Sequence, residues 1–269
     1  MPSIELSQHR LHFEVQGADR GKPWLIFSNS LGTDLHMWDL QVAALSQDFR
    51  ILRYDNRGHG RSSSPASPFK LAELGADLIA LMDHLGIDRA SFCGLSIGGL
   101  IGQWLAVHAS NRFERFVLCA TAPRIGSFES WQHRMDTVIH GGLNVIVEAT
   151  RERWFTQQLC MQEPELVDRI LASFSNTSIE GYVGCCAALR DADMTPSLGN
   201  IEHPVLAVSG QDDPVCRPSE LDEIAKAVVN GRHFSLPGKH IVNLEGPGQF
   251  NRLITSFIKT DGRVEFPPK

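Results

Sequence analysis

The sequence of 269 residues lacks long apolar runs and a surplus of basic residues. None of its apolar stretches approaches the roughly 18 residues that a transmembrane helix needs. The 25 Lys and Arg are outnumbered by 31 Asp and Glu, which gives a formal net charge of -6. This balance argues against nucleic acid or an anionic membrane surface as the main partner.

Paired cysteines and a secretion signal are missing as well. The six cysteines contain no C-x-x-C pair, and the first residues, Met1 to Glu5, lack the basic and then apolar make-up of a signal peptide. Internal repeats and low-complexity segments are also missing. We therefore expect a cytoplasmic protein with free thiols.

What the chain does have is a regular alternation of strand and helix patterns. Strands are predicted at residues 11–15, 24–27, 50–54, 90–93, 116–121, 204–209 and 232–236. Helices are predicted at residues 37–45, 71–85, directly after Ser96, and at 217–229 and 247–258. This order predicts an α/β fold with a mostly parallel sheet and helices on both faces.

The alternation is interrupted once, by more than 80 residues with helical patterns and no clear strand. That length is too great for a connecting loop. We interpret residues 123–198 as an inserted helical cap over the carboxyl ends of the strands, and residues 1–122 with 199–269 as the core. The alternative is that these helices simply pack on the sheet.

The stretch Gly94-Leu95-Ser96-Ile97-Gly98 has the G-x-S-x-G pattern of a nucleophile elbow. A short apolar run precedes it, and apolar residues at the spacing of a helix face follow it. The serine therefore lies where a strand turns sharply into a helix, and the flanking positions must be small. The pattern alone could arise by chance, but this context predicts Ser96 as a nucleophile.

A serine hydroxyl needs a base and a group that orients the base, and in α/β-hydrolases the chain order is Ser, acid, His. Asp213 follows the strand at 204–209 and His240 follows the strand at 232–236, so both stand in the required order. We predict them as acid and base, with Asp212 as the alternative acid. Other histidines are less suitable, because His233 lies inside a strand, His203 precedes a proline, and His59 in a glycine-rich loop is expected to tie that loop down.

Two backbone N–H groups should bind the oxyanion that forms when the serine attacks. One belongs to Ile97, directly after the nucleophile, and the other to Leu31, in the loop after the strand at 24–27. Many esterases have His-Gly in this loop, where this chain has Asn29-Ser30. The predicted chemistry requires no metal and no cofactor.

Together these motifs resemble a 3-oxoadipate enol-lactonase, a member of the α/β-hydrolase superfamily. The resemblance spans nearly the whole chain and is carried by residues 29–34 (Asn-Ser-Leu-Gly-Thr-Asp), 55–62 (Asp-Asn-Arg-Gly-His-Gly-Arg-Ser), 94–99 (Gly-Leu-Ser-Ile-Gly-Gly), 153–155 (Arg-Trp-Phe), 181–193 and the turn at His240. It implies hydrolysis of a small enol-lactone that carries a carboxylate, made during bacterial breakdown of aromatic acids. The core motifs alone would support only a hydrolase.

Such a substrate implies a cation in the pocket of an acidic protein. We expect Arg134 to supply it and Trp154 to form an apolar wall, with Arg151, Arg153 and Arg190 as competing cations. The other functions considered are a general carboxylesterase, a cofactor-free perhydrolase or haloperoxidase, and a non-catalytic ligand receptor on the same fold. The sequence does not predict the oligomeric state.

Overall fold

A computed structural model describes residues 2–17 and 21–260 of the chain. Within these residues, none of the helices has the length and apolar character to cross a bilayer. The strands are β1 (Ser3–Glu5), β2 (Arg10–Gln16), β3 (Trp24–Ser28), β4 (Arg50–Tyr54), β5 (Ala90–Leu95), β6 (Phe113–Cys119), β7 (Pro204–Gly210) and β8 (Asn230–Leu236).

These strands form one sheet in the order β1-β2-β4-β3-β5-β6-β7-β8. β1 and β2 pair antiparallel, β2 and β4 pair antiparallel, and the remaining neighbours are parallel. Every residue of the central strand β5 is buried, whereas the edge strand β8 leaves all its residues exposed or half-buried. The predicted α/β class with a mostly parallel sheet is confirmed.

The helices are α1 (Asp39–Leu45), α2 (Leu71–His84), α3 (Ile97–His108), α4 (Phe128–Gly141), α5 (Val147–Trp154), α6 (Gln157–Gln162), α7 (Pro164–Ser175), α8 (Ile179–Asp191), α9 (Pro218–Ala227), α10 (Val242–Glu245) and α11 (Pro247–Lys259). The helix predicted from residue 37 differs in its start, because a 3-10 turn over Leu35–Trp38 precedes α1. Asp34 caps that turn and so fixes the earlier start. The short strand β1 was not predicted.

Helices α4 to α8 all lie between β6 and β7 in the chain. Ser127, Thr156 and Ser178 cap α4, α6 and α8, each accepting the N–H of the residue three positions further on, at 3.2, 3.1 and 3.3 Å. These side-chain caps satisfy backbone donors that a helix start leaves without partners. They explain where the three helices begin.

The α4–α8 segment contacts the loops that follow the parallel strands. The N–H of Ser178 donates to the carbonyl of Gly58, and the N–H of Ile241 donates to the carbonyl of Trp154, each at 3.2 Å. Because these loops emerge from the carboxyl ends of the strands, the segment covers that edge of the sheet. The cap boundaries at residues 123 and 198 stay a prediction.

Gly181 on α8 packs closely on Gly58 in the loop after β4. A methyl group added to Gly181 would overlap the backbone of Gly58. Gly58 itself has φ of 72°, a conformation that favours glycine. The two backbones touch directly, so neither position has room for a side chain.

We expect Gly181→Ala to lower the free energy of unfolding by about 1–3 kcal/mol, because the methyl group would push α8 away from the loop. This loss should appear although alanine forms helices better than glycine. Gly199→Ala is the matched control, since nothing lies within 4 Å of its added methyl group. Urea unfolding measures both, and equal stability of Gly181→Ala and the wild type would contradict the close approach.

Candidate active site

Ser96 occupies a sharp turn between β5 and α3. Its backbone has φ of 60° and ψ of -117°, a strained conformation for a residue with a side chain. A Cβ atom on Gly94 would overlap the carbonyl of Gly98, and a Cβ on Gly98 would overlap the carbonyl of Ser28. The small flanking residues predicted from the sequence are therefore required by backbone packing.

Hydrogen bonds from the neighbouring strand hold this turn in place. The N–H of Ser96 donates to the carbonyl of Cys119 at 2.9 Å, and the hydroxyl of Thr121 donates to the carbonyl of Ser96 at 2.8 Å. Both partners lie at the end of β6. The serine backbone is thus fixed on both sides while its hydroxyl faces a cavity.

His240 and Asp213 form a buried pair. Nδ1 of His240 donates to Oδ2 of Asp213 at 2.9 Å, and both side chains are almost fully buried. The other oxygen of Asp213 accepts the N–H groups of Val215 at 2.8 Å and Cys216 at 3.1 Å. Since Nδ1 donates to the carboxylate, Nε2 is left as the nitrogen that can accept a proton.

The loops after β7 and β8 bring this pair together. The N–H of Asp212 donates to the carbonyl of Gly238 at 3.0 Å, and Gly210 packs so closely on Lys239 that no side chain would fit. The side chain of Asp212 is exposed. The structure therefore pairs His240 with the preferred Asp213 and not with Asp212.

Ser96 and His240 line one small cavity together with residues from the loop after β3 and from the helical segment. Its wall consists of Ser30, Leu31, Ser96, Ile125, Trp131, Arg134, Arg153, Trp154, Tyr182, Val215 and His240. Within residues 2–17 and 21–260, no hydrogen bond joins the hydroxyl of Ser96 to His240. Such contacts commonly tighten only when substrate is bound.

The N–H groups of Leu31 and Ile97 have no hydrogen-bond acceptor among the described residues. Asn29 stabilises the Leu31 loop: its side chain donates to the carbonyl of Tyr54 at 2.8 Å and accepts the indole N–H of Trp38 at 3.0 Å. Asn29, which stands where many esterases have the histidine of His-Gly, therefore stabilises this loop through its side chain. It leaves both backbone donors free to bind an anion.

Two guanidinium groups reach this cavity, those of Arg134 and Arg153. Nε of Arg134 donates to the hydroxyl of Tyr182 at 2.6 Å, and its Cζ lies 5.8 Å from the centre of that ring. Burial, and then the positive charge of Arg134, lower the pKa of Arg153. Within the described part of the chain, neither arginine forms an ion pair with a carboxylate.

This lack of acidic partners distinguishes the two cavity arginines from the buried arginines of the core. Arg53 binds Asp39 at 2.6 Å and Glu14 at 2.9 Å, and Arg57 binds Asp77 through two nitrogens at 2.8 and 2.7 Å. A buried charge without a partner is unfavourable. Arg134 and Arg153, half-buried and without a carboxylate partner among the described residues, are therefore available to bind an anion.

The other competing cations do not reach the cavity. Arg151 forms an ion pair with Asp168 at 3.1 Å, and Arg190 forms one with Asp191 at 2.7 Å. These two alternatives to Arg134 are therefore less suitable, since their guanidinium groups are neutralised by carboxylates outside the cavity. Trp154 lines the cavity, and its role as an apolar wall for the substrate stays a prediction.

A larger cavity of about 500 Å³ lies next to the small one and shares part of its wall. The residues that line both are Ile125, Trp131, Arg134, Arg153 and Val215. The two cations therefore lie between the serine and the outer space. A substrate that enters through the larger cavity meets them before it meets Ser96.

His59, His203 and His233 lie outside both cavities, whereas His133 lines the larger one. Nδ1 of His59 donates to the carbonyl of Arg57 at 3.1 Å, and burial lowers the pKa of His59 to about 4. It ties its loop down, as the sequence predicted. His203 packs edge-on against Phe116, and His233 bonds Ser209 at 2.9 Å. Among the described residues, no cluster of His, Cys, Asp and Glu is suited to bind a metal.

The sequence did not reveal the roles of Trp131 and Tyr182 in the cavity wall. Trp131 precedes Arg134 by three positions on α4 and so shares its helix face, a spacing that could have indicated the contact. Tyr182 belongs to α8, 48 residues away from its partner Arg134. No local pattern signals that contact.

The comparison with known proteins agrees with this geometry. The family model of the alpha/beta hydrolase fold matches residues 23–247 of the chain. Strand order, the serine turn and the paired Asp213 and His240 are those of that fold. The chain belongs to the α/β-hydrolase family and is a hydrolase.

Within this family the chain is similar to enol-lactonases. It is 42% identical to 3-oxoadipate enol-lactonase 2 of Acinetobacter baylyi, over 90% of each chain, and 33% identical to 3-oxoadipate enol-lactonase 1 of the same organism, over 93% of each. The crystal structure of the enol-lactonase from Burkholderia xenovorans LB400 is 41% identical, with a TM-score of 0.93 over 96% of this chain and 99% of that one. The resemblance predicted from the sequence is confirmed.

Proposed function

We propose that this protein hydrolyses 3-oxoadipate enol-lactone to 3-oxoadipate in bacterial breakdown of aromatic acids. The observation that carries the proposal is one cavity that contains a serine, a histidine paired with a buried aspartate, and two arginines without acidic partners. The two Acinetobacter relatives support the substrate. Ser96 is the nucleophile, His240 the base, and Asp213 the group that orients the base.

In the first half of the reaction, the hydroxyl of Ser96 attacks the ring carbonyl while Nε2 of His240 takes its proton. The resulting oxyanion binds the N–H groups of Leu31 and Ile97, and Ile97 also stands at the N-terminus of α3, where the helix dipole favours negative charge. Collapse of this intermediate breaks the ring C–O bond. His240 returns the proton to the enolate-type oxygen, and the opened chain stays bound to Ser96 as an acyl ester.

In the second half, His240 takes a proton from water, and the hydroxide attacks the acyl ester. The same two N–H groups bind the new oxyanion, and the proton returns to Ser96 as the carboxylate leaves. Asp213 keeps the imidazole in the required tautomer throughout. The released enol converts to the ketone, which makes the reverse reaction unfavourable.

The carboxylate of the substrate binds Arg134, with Arg153 as a second cation beside it. Arg134 is held toward the cavity by Tyr182, and the ring of Trp154 provides an apolar surface for the lactone. Both arginines are half-buried, so an anion between them is partly removed from water. The site thereby favours lactones with a carboxylate over neutral esters.

We expect Ser96→Ala to abolish lactone opening, a fall of roughly a millionfold in kcat, because the alanine side chain has no hydroxyl that His240 could deprotonate for attack on the ring carbonyl. Spectrophotometric loss of the enol-lactone measures this, and circular dichroism serves to show that the fold is kept. Substantial lactone hydrolysis by Ser96→Ala would refute the nucleophile. If the wild-type protein does not open the lactone but cleaves simple aryl esters, it is an esterase. If it instead uses peroxide and acetate, it is a perhydrolase.

We expect Asp213→Asn to lower kcat about a thousandfold or more, because the amide oxygen would stay with the N–H groups of Val215 and Cys216, and the NH2 group would donate to Nδ1 and favour the wrong imidazole tautomer. Asp212→Asn is the matched control, one position away with an exposed side chain, and should retain nearly full turnover. Steady-state kinetics on the lactone compare them. A severe loss in Asp212→Asn with an active Asp213→Asn would reverse the assignment.

We expect Arg134→Ala to lower kcat/KM for the lactone about 10- to 100-fold, because a charge-assisted bond to the carboxylate is lost. A neutral aryl ester of similar size should be hydrolysed at nearly the wild-type rate. Arg151→Ala is the control, since that guanidinium is paired with Asp168 away from the cavity. Equal losses on charged and neutral substrates would rule out carboxylate recognition by Arg134.

A further inference from the structure

The loop that carries His240 docks on the carboxyl-terminal end of α5. Nζ of Lys239 donates to the carbonyl of Glu152 at 2.6 Å, and the N–H of Ile241 donates to the carbonyl of Trp154 at 3.2 Å. The last carbonyls of a helix have no partners within the helix. Here Lys239 and Ile241, the two neighbours of His240, donate to the carbonyls of Glu152 and Trp154.

Glu245 reinforces this docking from the far end of the loop. Its Oε1 accepts the N–H of Thr156 and its Oε2 accepts the hydroxyl of Thr156, both at 2.7 Å. The stem of Glu245 packs against Gly238, which has φ of 120° and no room for a side chain. Glu245 therefore connects Thr156, in the turn before α6, to Gly238, which lies two residues before His240 in the chain.

These hydrogen bonds join the loop that carries His240 to residues 152–156, which include the cavity-lining Trp154. Trp154 contributes its side chain to the cavity and its carbonyl to Ile241, so the wall and the loop share a residue. The residues joined by these bonds are 87 to 89 positions apart in the chain. Among the described residues, the hydrogen bonds between the α5–α6 turn and residues 238–245 are those of Glu245 and Lys239 at 2.6 to 2.7 Å and that of Ile241 at 3.2 Å. Within the described chain, the position of His240 relative to Trp154 depends on this small set.

We propose that Glu245 and Thr156 are positioning residues for His240, a role that rests on the proposed function of His240 as the base. Their paired hydrogen bonds hold the loop of His240 against the wall of the cavity that contains Ser96. Among the described residues the hydroxyl of Ser96 forms no hydrogen bond to His240, so the position of the His240 loop determines whether the two groups can approach each other. A displacement of about 1 Å is enough to cost up to a hundredfold in rate.

The test compares Thr156→Val, which removes the hydroxyl bonded to Glu245, with Thr156→Ser, which keeps it. Glu245→Gln weakens the same contact, because the amide oxygen can still accept the N–H of Thr156 but an NH2 group replaces the charged oxygen that accepts its hydroxyl. Because Thr156 also caps α6, Ser127→Ala is the matched control, since it removes the corresponding cap of α4 without touching the loop of His240. Each variant is assayed for lactone opening and for the rate and extent of labelling of Ser96 by a fluorophosphonate.

We expect Thr156→Val to lower kcat and the labelling rate constant about tenfold, with KM changed less than twofold and with complete labelling at long times. Thr156→Ser should restore both rates, Glu245→Gln should resemble Thr156→Val, and Ser127→Ala should match the wild type. Complete labelling reports that all molecules are folded. The rate constant reports activation of Ser96 by His240, which a purely structural role would not change.

The positioning role is overturned if Thr156→Val and Glu245→Gln label Ser96 at the wild-type rate, or if they reduce only the labelled fraction. It is overturned as well if Thr156→Ser is as slow as Thr156→Val. In each of these cases a wild type that opens the lactone leaves the proposed function intact. If the wild-type protein neither opens the lactone nor reacts with the fluorophosphonate, both the positioning role and the proposed function are contradicted.

Discussion

The strained backbone of Ser96 is the constraint on which the site depends. A residue with φ of 60° costs roughly 1–3 kcal/mol, and it persists here because the packing around it allows no alternative. Gly94 and Gly98 let α3 approach β3 and β5 so closely that the chain must turn within one residue. The same turn sends the serine hydroxyl into the cavity and leaves the Ile97 N–H at the start of a helix, so nucleophile and oxyanion donor come from one backbone geometry.

Electrostatics then separate the cavity from the rest of an acidic protein. The core arginines are neutralised by carboxylates, whereas Arg134 and Arg153 remain without them in the described residues. Their mutual repulsion and partial burial are unfavourable until an anion binds between them. The proposed substrate carboxylate is such an anion, and its binding removes an unfavourable term in addition to forming hydrogen bonds.

Features governed by local pattern could be predicted from the sequence. Mainly apolar or alternating stretches of four to six residues located the strands, and the serine between two glycines indicated its own turn. Asp213 and His240 could be chosen because the fold requires them at the ends of particular strands. The preference for Asp213 over Asp212 had weaker support from the sequence. The structure supplies the physical reason, because the side chain of Asp213 is buried and that of Asp212 is exposed.

Contacts between distant segments could not be predicted. Which arginine of the helical segment enters the cavity depends on how α4, α5 and α8 rotate about their axes, and the sequence left Arg151, Arg153 and Arg190 open beside the preferred Arg134. Tyr182 orients Arg134 from 48 residues away, and Glu245 meets Thr156 from 89 residues away. A single sequence contains no periodic signal for such pairs, because each depends on the packing of the whole domain.

The two edges of the sheet have a consequence for behaviour at high concentration. An edge strand presents unpaired N–H and C=O groups to which a strand of another molecule can add. At one edge β1 has only three residues, and at the other β8 carries the exposed Arg232. A short strand and a charged side chain both discourage growth of the sheet from one molecule to the next, so the fold opposes aggregation through its edges.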